Sequence, residues 1–332
     1  MPSFTVYKGS KEGKIVKSET TKPDLKDDQV LLRITASGLC GTDEHYKEAD
    51  MVLGHEGVGI VEDVGPSVKE LKKGDRVGWG YEHNCCGHCE KCLTGWETYC
   101  PEREMYGMHN LDQGSFGSHA VWREAFLFKV PEELTDAEAA PLMCGGATVF
   151  NALNAYKVRP TDRVGVMGVG GLGHLAIQYA AKMGCDVVVF SGSDSKKDEA
   201  MKLGAREFIA MKGKSEIDIS RKVDVLLITT SVMPDWKLII PALNSNATIF
   251  PLTVSQGDFT FPQMPLITSG ITVQGSVVAA RQVHRDMLRF SALHGIKPIN
   301  MEFPLNEKGI EEAMATLRDG KMRYRGVLLP QQ

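Results

Sequence analysis

The chain has 332 residues, of which 42% are hydrophobic and 24% charged, and its formal net charge is -4. A length above about 250–300 residues predicts two domains, because a single hydrophobic core rarely grows larger. Without a dense run of Lys and Arg, the chain is not expected to bind nucleic acid or an anionic membrane surface. Its first ten residues lack the apolar stretch of a signal peptide, and no run of about 18 apolar residues could span a bilayer. We therefore expect a cytoplasmic protein.

The first part of the sequence is expected to form β-strands. Short apolar runs alternate with charged, turn-like stretches over residues 4–34, which is typical of antiparallel strands. Comparable runs follow at 58–65, 75–79, 118–123 and 125–130. The glycines among them mark bends of the kind found in barrels. The sequence therefore predicts a β-rich first domain.

Two potential zinc ligands lie within this β-rich stretch. Cys40 and His55 provide a thiolate and an imidazole, which zinc prefers, and the acidic residues Asp43 and Glu56 follow them. A buried cysteine and a histidine beside glycines are also common without a metal. By itself, the pattern predicts two of the ligands of a zinc site, Cys40 and His55.

Four cysteines with compact spacing form a second candidate metal site. The spacing C-x2-C-x2-C-x7-C over residues 86–100, the four-cysteine lobe, allows four thiolates to surround one zinc ion with no open position. A disulfide cluster is the alternative, and the lack of a signal peptide disfavours it. Cys85 could take the first position instead of Cys86. The predicted ligands are Cys86, Cys89, Cys92 and Cys100.

A helix is predicted over residues 135–156. Thr135 and Glu138 have the spacing of a capping box, and apolar residues recur beyond them. Cys144 lies inside this helix beside two glycines. It is either a small core residue or the ligand that completes a second metal site.

Residues 162–184 contain a buried strand, a glycine turn and an amphipathic helix, and a second strand follows at 186–190. Gly168, Gly170 and Gly173 form G-x-G-x-x-G in the context of a βαβ unit. The first glycine permits the tight turn, the second lets a pyrophosphate approach the backbone, and the third allows helix and strand to pack. The phosphates are expected at the helix N-terminus. This segment predicts a dinucleotide site.

The residues after the second strand indicate which dinucleotide binds. An NAD site usually places an acidic side chain here for the ribose 2′-hydroxyl, whereas a 2′-phosphate needs small donors and a cation. Ser191 stands in the place of the acid, Gly192 leaves room, and Lys196 can pair with a phosphate. The stretch therefore favours NADP. Asp194 could be the acid after a register shift, and the stretch could also be a simple helix cap.

Three further apolar runs, at 223–229, 247–252 and 271–278, are predicted to extend a parallel sheet. Helices are expected over 282–293 and 309–317. The run at 271–278 carries little charge that could protect an exposed edge of this sheet. We therefore expect the protein to form a homodimer through edge strands of the sheet, including this run.

Taken in this order, the motifs resemble those of the zinc-dependent medium-chain alcohol dehydrogenases, and most of all the cinnamyl alcohol dehydrogenase-like branch. The resemblance covers nearly the whole chain. It implies an α/β protein in which a GroES-like β-rich catalytic domain, residues 1–147 and 279–332, encloses a Rossmann NADP-binding domain, residues 148–278. The Rossmann domain has a doubly wound parallel sheet.

The resemblance also implies roles for individual residues. Cys40, His55 and Cys144 would bind a catalytic zinc ion, with Glu56 as an intermittent ligand, and the four-cysteine lobe would bind a structural zinc ion. Thr42 and His45 match the proton relay of the family, and Asp43 matches the partner of the zinc-binding histidine. The cofactor-binding positions are Thr148, Gly168, Gly170, Gly171, Leu172, Gly173, Ser191, Gly192, Lys196 and Arg325, the last as a pyrophosphate contact.

The expected activity is the reversible oxidation of a primary alcohol to an aldehyde with NADP, using two zinc ions per chain. Two alternatives remain. An NAD-dependent polyol or secondary-alcohol dehydrogenase would carry an acid after the second strand, and a catalytically silent cofactor-binding protein would have lost the open zinc site first. One departure concerns the substrate: fourteen residues separate Cys40 from His55, fewer than in many members, and the missing loop normally borders the substrate pocket.

Overall fold

The computed structural model describes residues 1–255 and 257–331. The chain divides into two compact units, which are Met1–Ala147 together with Val278–Gln332, and Thr148–Val277. Within the described residues, every helix is too short or too polar to cross a membrane.

The first part of unit 1 is built from strands with short helices between them. Its helices are α1 (Gly41–His45), α2 (Glu90–Leu93) and α3 (Asp136–Ala139). Its strands are β1 (Ser3–Lys8), β2 (Val16–Thr21), β3 (Gln29–Leu39), β4 (Gly57–Val64), β5 (Arg76–Trp79), β6 (Glu82–Asn84), β7 (Glu104–Met105), β8 (His119–Arg123) and β9 (Phe128–Lys129).

Unit 2 alternates helices and strands. Helix α4 (Gly145–Asn154) leads into this unit. The other elements are β10 (Arg163–Met167), α5 (Gly173–Lys182), β11 (Asp186–Ser191), α6 (Lys197–Lys202), β12 (Glu207–Ala210), β13 (Val223–Ile228), α7 (Trp236–Ile239), β14 (Leu243–Pro251), α8 (Gln263–Thr268) and β15 (Thr272–Val273). The strands all run parallel, in the order β12-β11-β10-β13-β14-β15, so the strand order reverses beside β10. This confirms the predicted doubly wound sheet.

The chain then completes unit 1 with α9 (Arg281–His294), β16 (Asn300–Pro304), α10 (Glu307–Arg318) and β17 (Arg325–Leu329). The large sheet of this unit has the order β16-β17-β3-β4-β5-β9, and β8 also pairs with β3. Strand β17 lies antiparallel to β3. The last strand of the sequence therefore lies directly beside the strand that leads to Cys40.

The burial patterns explain why these segments form strands. In β3, Val30, Leu32 and Ile34 alternate with more exposed residues, so one face of the strand enters the core of unit 1. In contrast, all five residues of β10 are buried, as expected for a central parallel strand covered on both faces.

Three predicted elements differ from the structure. The strand predicted over 125–130 is a strand only at Phe128–Lys129, because a 3-10 turn, Glu124–Phe126, precedes it. The helix predicted over 135–156 has the predicted Thr135 and Glu138 capping box, with the Glu138 amide donating to the Thr135 hydroxyl at 3.2 Å. However, it is interrupted by a 3-10 turn, Ala140–Met143, and by non-helical backbone at Cys144 (φ -126°, ψ -62°). Cys144 therefore lies in a break between two helical segments.

The strand predicted over 271–278 is paired only at Thr272 and Val273. The amide of Gln274 donates to Ile249, so residues 249 and 251 of β14 face this edge. Residue 251 is a proline, which has no N–H with which to extend the ladder. The strand ends there for that reason.

Candidate metal and dinucleotide sites

Four potential metal ligands converge in unit 1 from three separate elements. Cys40 lies between β3 and α1, His55 and Glu56 immediately precede β4, and Cys144 occupies the break between helices. One ligand atom from each residue lies within 4.8 Å of the others. We call this group the open site. The structure therefore brings Cys144 together with the predicted ligands Cys40, His55 and Glu56.

The His55 side chain is oriented for metal binding. Its Nδ1 donates to Asp43 Oδ1 at 2.9 Å, and the ring is fully buried. Within residues 1–255 and 257–331, its Nε2 atom is buried without a hydrogen-bond partner. A buried imidazole nitrogen without a partner costs free energy unless something binds it. The set of donors therefore fits a soft divalent metal ion such as zinc.

The two thiols of the open site shift each other's pKa in opposite directions. A hydrogen bond from Cys144 lowers the pKa of Cys40 well below its ordinary value, with burial opposing and His55 assisting. The same hydrogen bond raises the pKa of Cys144. Burial alone would lower the pKa of His55, but Asp43 and Cys40 together outweigh burial and the net pKa is raised.

Glu56 is buried, and its carboxylate is paired with Arg325. The Arg325 guanidinium donates through Nη2 to both carboxylate oxygens, at 2.6 Å to Oε2. Burial raises the pKa of Glu56 to about 7, and Arg325 opposes this rise. The carboxylate is held next to Cys40 and Cys144 by a charge-assisted hydrogen bond.

The four-cysteine lobe has the dimensions of a tetrahedral site. The Sγ–Sγ distances are 3.9 Å from Cys86 to Cys92, 3.6 Å from Cys89 to Cys92 and 3.6 Å from Cys100 to Cys86. A zinc ion with bonds of about 2.3 Å at tetrahedral angles requires sulfur atoms about 3.8 Å apart. All four cysteines are free thiols. The converging group contains Cys86 and not Cys85.

The predicted proton-relay residues both belong to α1. Thr42 is half-buried and its Oγ1 accepts from Cys40 Sγ at 3.8 Å, while His45 is exposed. Residues three apart on a helix are neighbours on its surface. Thr42 therefore lies beside the open site, and His45 lies at the surface on the same short helix.

In unit 2 the glycine turn lies between β10 and α5, and each glycine fits its predicted role. Gly168 has a φ of +95°, and a Cβ at Gly173 would lie 1.9 Å from the Gly168 carbonyl oxygen. A Cβ at Gly170 would have no atom within 4 Å, which leaves the backbone open to a ligand. Gly171 and Leu172 complete the turn, and Thr148 is buried in α4.

The predicted ribose-phosphate residues surround this turn. Ser191 ends β11 next to Gly168, whose amide donates to Phe190 at 2.8 Å. A Cβ at Gly192 would again meet no atom within 4 Å. Lys196 Nζ donates to the Val169 carbonyl at 2.6 Å. The lysine ammonium thus lies at the glycine turn, and Ser191 follows the residue that pairs with Gly168.

Comparison with known proteins identifies the family. The alcohol dehydrogenase GroES-like domain matches residues 26–132, and the zinc-binding dehydrogenase domain matches residues 171–292. An alcohol dehydrogenase from Geobacillus stearothermophilus is 35% identical, covering 93% of this chain and 94% of its own. The chain belongs to the zinc-dependent medium-chain alcohol dehydrogenases.

Solved structures agree with this alcohol dehydrogenase assignment. A cinnamyl alcohol dehydrogenase from Sorghum bicolor has a TM-score of 0.90 and 30% identity, covering 98% of this chain and 97% of its own. A cinnamyl alcohol dehydrogenase (CAD) from Helicobacter pylori complexed with NADP(H) has a TM-score of 0.88 and 27% identity, covering 98% and 97%. The predicted family and the predicted GroES-like and Rossmann fold are confirmed.

Two features of this alcohol dehydrogenase go beyond the sequence motifs. Arg325, expected to contact the cofactor pyrophosphate, makes its described hydrogen bonds to Glu56, and the pyrophosphate contact stays a prediction. Tyr106 was not predicted, yet its hydroxyl donates to Asp43 at 2.8 Å. It lies 63 positions from Asp43, so no local spacing in the sequence could have indicated the contact.

Proposed function

We propose that this alcohol dehydrogenase interconverts primary alcohols and aldehydes by hydride transfer with NADP(H), with zinc ions at the open site and at the four-cysteine lobe. The observation that supports the proposal most is the convergence of Cys40, His55 and Cys144, whose ligand atoms lie within 4.8 Å of one another. Among the described residues, the His55 Nε2 atom is buried without a hydrogen-bond partner.

At the open site, zinc would be held by Cys40, His55 and Cys144, and Glu56 would be the intermittent ligand. A bound zinc ion supplies a Lewis acid that polarises the oxygen of an alcohol or aldehyde. Asp43 fixes the His55 ring, with 2.9 Å between Oδ1 and Nδ1, which leaves Nε2 for the metal.

Thr42 and His45 account for the movement of the proton. The Thr42 hydroxyl lies beside Cys40 and can accept the proton of a substrate hydroxyl while passing its own to His45. His45 is exposed and exchanges protons with solvent.

The choice of NADP is supported by the groups beside the glycine turn. Ser191 provides a neutral hydroxyl where a carboxylate would repel a 2′-phosphate, Gly192 leaves space, and the Lys196 ammonium lies at Val169. The structural similarity to an NADP(H) complex, the cinnamyl alcohol dehydrogenase from Helicobacter pylori, agrees with this choice.

The proposal is tested by metal content and activity together. We expect purified protein to hold two zinc ions per chain and to oxidise NADPH in the presence of aldehydes. The Cys40→Ser variant should hold one zinc ion and lose this activity, because a serine hydroxyl is a poor zinc ligand. The matched control is Cys185→Ser, which removes a buried thiol from unit 2 outside both metal groups. Full activity in Cys40→Ser would overturn the proposal.

We also propose that the protein forms a homodimer through the β15 edge of the parallel sheet. Thr272 and Val273 are exposed there, at the end of the strand order. Exposed apolar residues of the preceding helix α8, Met264 and Ile267, add to this edge. A monomeric mass by light scattering at micromolar concentration would contradict the proposal.

A further inference from the structure

The Asp43 carboxylate lies at the centre of a buried hydrogen-bond network behind the open site. Its Oδ2 accepts from the Cys40 amide at 2.9 Å. Its Oδ1 accepts from His55 Nδ1 at 2.9 Å, from the Gly54 amide at 3.2 Å and from the Tyr106 hydroxyl at 2.8 Å. Asp43 is 0% exposed. Its orientation therefore depends on these donors, since a buried carboxylate without them is costly.

Tyr106 supplies the hydroxyl donor in this network. Its side chain is 1% exposed, and the hydroxyl accepts from the Gly54 amide at 3.0 Å while donating to Asp43. The geometry fixes the direction of the O–H bond, because the amide can only donate. Burial and the nearby Asp43 carboxylate raise the pKa of Tyr106, so this hydroxyl keeps its proton.

The ring of Tyr106 also contacts the histidine. The centroids of Tyr106 and His55 are 4.5 Å apart with an angle of 35° between the ring planes. Tyr106 therefore restrains His55 in two ways, by packing against the imidazole and by holding the carboxylate that binds Nδ1. Outer groups that orient a metal-binding histidine commonly change metal affinity by about 10- to 100-fold.

The position of Tyr106 is set by the strand pair that closes the four-cysteine lobe. Strand β6 pairs with β7, with Glu82 opposite Met105 and Asn84 opposite Glu104. The Tyr106 amide continues this pairing and donates to the Tyr81 carbonyl at 2.9 Å. All four cysteines of the lobe lie between these two strands in the sequence. A folded lobe thus holds Tyr106 against Asp43.

We propose that Tyr106 is a positioning residue for the open site, which holds Asp43 and through it the His55 imidazole in the orientation that binds metal. The proposal rests on the zinc site proposed above. It assigns to the four-cysteine lobe the task of anchoring Tyr106, and it explains why a tyrosine hydroxyl is buried at a carboxylate 63 positions away.

The test compares Tyr106→Phe with the wild type by the rate of zinc release to a chelating dye at pH 7.5. The Cys40→Ser variant lacks one ligand of the open site and should release zinc only from the lobe. Its single phase therefore shows which phase of the wild type belongs to the lobe. We expect Tyr106→Phe to accelerate release from the open site by about 10-fold or more. The lobe phase should stay unchanged, because the hydroxyl that the substitution removes is hydrogen-bonded to Gly54 and Asp43.

Tyr7→Phe is the matched control. Tyr7 is a buried tyrosine of the same unit outside the Asp43 network, and we expect its removal to leave open-site release within twofold of the wild type. Asp43→Asn and the double variant Tyr106→Phe/Asp43→Asn complete a cycle. If Tyr106 acts through Asp43, the double variant should release zinc at nearly the same rate as Asp43→Asn alone.

Two results would overturn the inference. One is a rate of zinc release from the open site of Tyr106→Phe that lies within twofold of the wild-type rate. The other is a release rate in the double variant that equals the product of the two single rate increases. Failure of the proposed function gives a different result, because wild-type protein would then show no release phase that Cys40→Ser removes. The urea midpoint of each variant shows whether faster release reflects general loss of stability.

Discussion

Replacing Lys196 with methionine tests the cofactor proposal most directly. The Lys196 ammonium lies 2.6 Å from the Val169 carbonyl, between Gly168 and Gly170 of the turn expected to receive the dinucleotide. Methionine keeps much of the length of the side chain and removes its charge. The change should therefore affect a 2′-phosphate and leave a 2′-hydroxyl nearly unaffected.

The size of the effect follows from the charge that the substitution removes. Hydrogen bonds to charged groups contribute about 1.5–3 kcal/mol, which corresponds to roughly 13- to 160-fold in a dissociation constant. We expect Lys196→Met to weaken NADPH binding within this range and NADH binding by less than about threefold. Fluorescence titration of both reduced cofactors on the wild type and on the variant measures the two ratios.

A second variant changes the same preference from the other side. Ser191→Asp places a carboxylate next to the 2′-position, which should repel NADPH and offer an acceptor to the NADH ribose. We expect a shift in preference of about 1–3 kcal/mol, or roughly 5- to 150-fold. Equal or tighter binding of NADH by the wild type, or equal losses for both cofactors in Lys196→Met, would refute the NADP assignment of this turn.

Three further changes probe unit 1. Arg325→Met leaves the buried Glu56 carboxylate without its guanidinium, and we expect a loss of about 3 kcal/mol in the free energy of unfolding by urea titration. Burial and the neighbouring Glu97 raise the pKa of Glu82 from 4.5 to about 8. The contribution of Glu82 to stability is therefore complete below pH 4.5 and is lost as the pH rises to 8. Glu82→Gln should flatten the decline in urea midpoint between about pH 4.5 and 8. Gly57→Ala would place a Cβ 2.2 Å from the Trp79 ring, and should lower stability by about 1–3 kcal/mol in thermal unfolding.

Each of these changes has a matched comparison. Arg318→Met breaks an ion pair with Glu44 in which the arginine side chain is 53% exposed, and it should cost at most about 1 kcal/mol. An equal cost for Arg325→Met would contradict the role assigned to the buried pair. Glu70→Gln, at an exposed position, should keep the wild-type pH dependence. Gly41→Ala, at a glycine of unit 1 without a positive φ whose Cβ would meet no atom within 4 Å, should leave thermal stability nearly unchanged.

Features that depend on short spacing were predictable from the sequence. The four cysteines of the lobe lie within 15 positions, and the three glycines of the dinucleotide turn within six. In both cases one loop sets the geometry, so residue types and spacing are sufficient. The Thr135 and Glu138 capping box is local in the same sense.

Features that depend on distant pairing were not predictable. Glu56 and Arg325 form a pair although they lie 269 positions apart. Tyr106 contacts Asp43 from 63 positions away. Neither contact has a periodicity or a motif, because each exists only once the sheet of unit 1 has formed. The same applies to β15, whose length is limited by Pro251 on its neighbouring strand rather than by its own residues.

The place of β17 in the sequence has a consequence for biosynthesis. Glu56 leaves the ribosome long before Arg325, and at about 5–20 residues per second the 269 intervening positions take roughly 13 to 54 s to translate. Residues 148–277, which form unit 2 without interruption, emerge within that interval. During synthesis, β3 and Glu56 therefore lack their partners β17 and Arg325 until the end of the chain has been made. A nascent chain can thus complete unit 2 before unit 1.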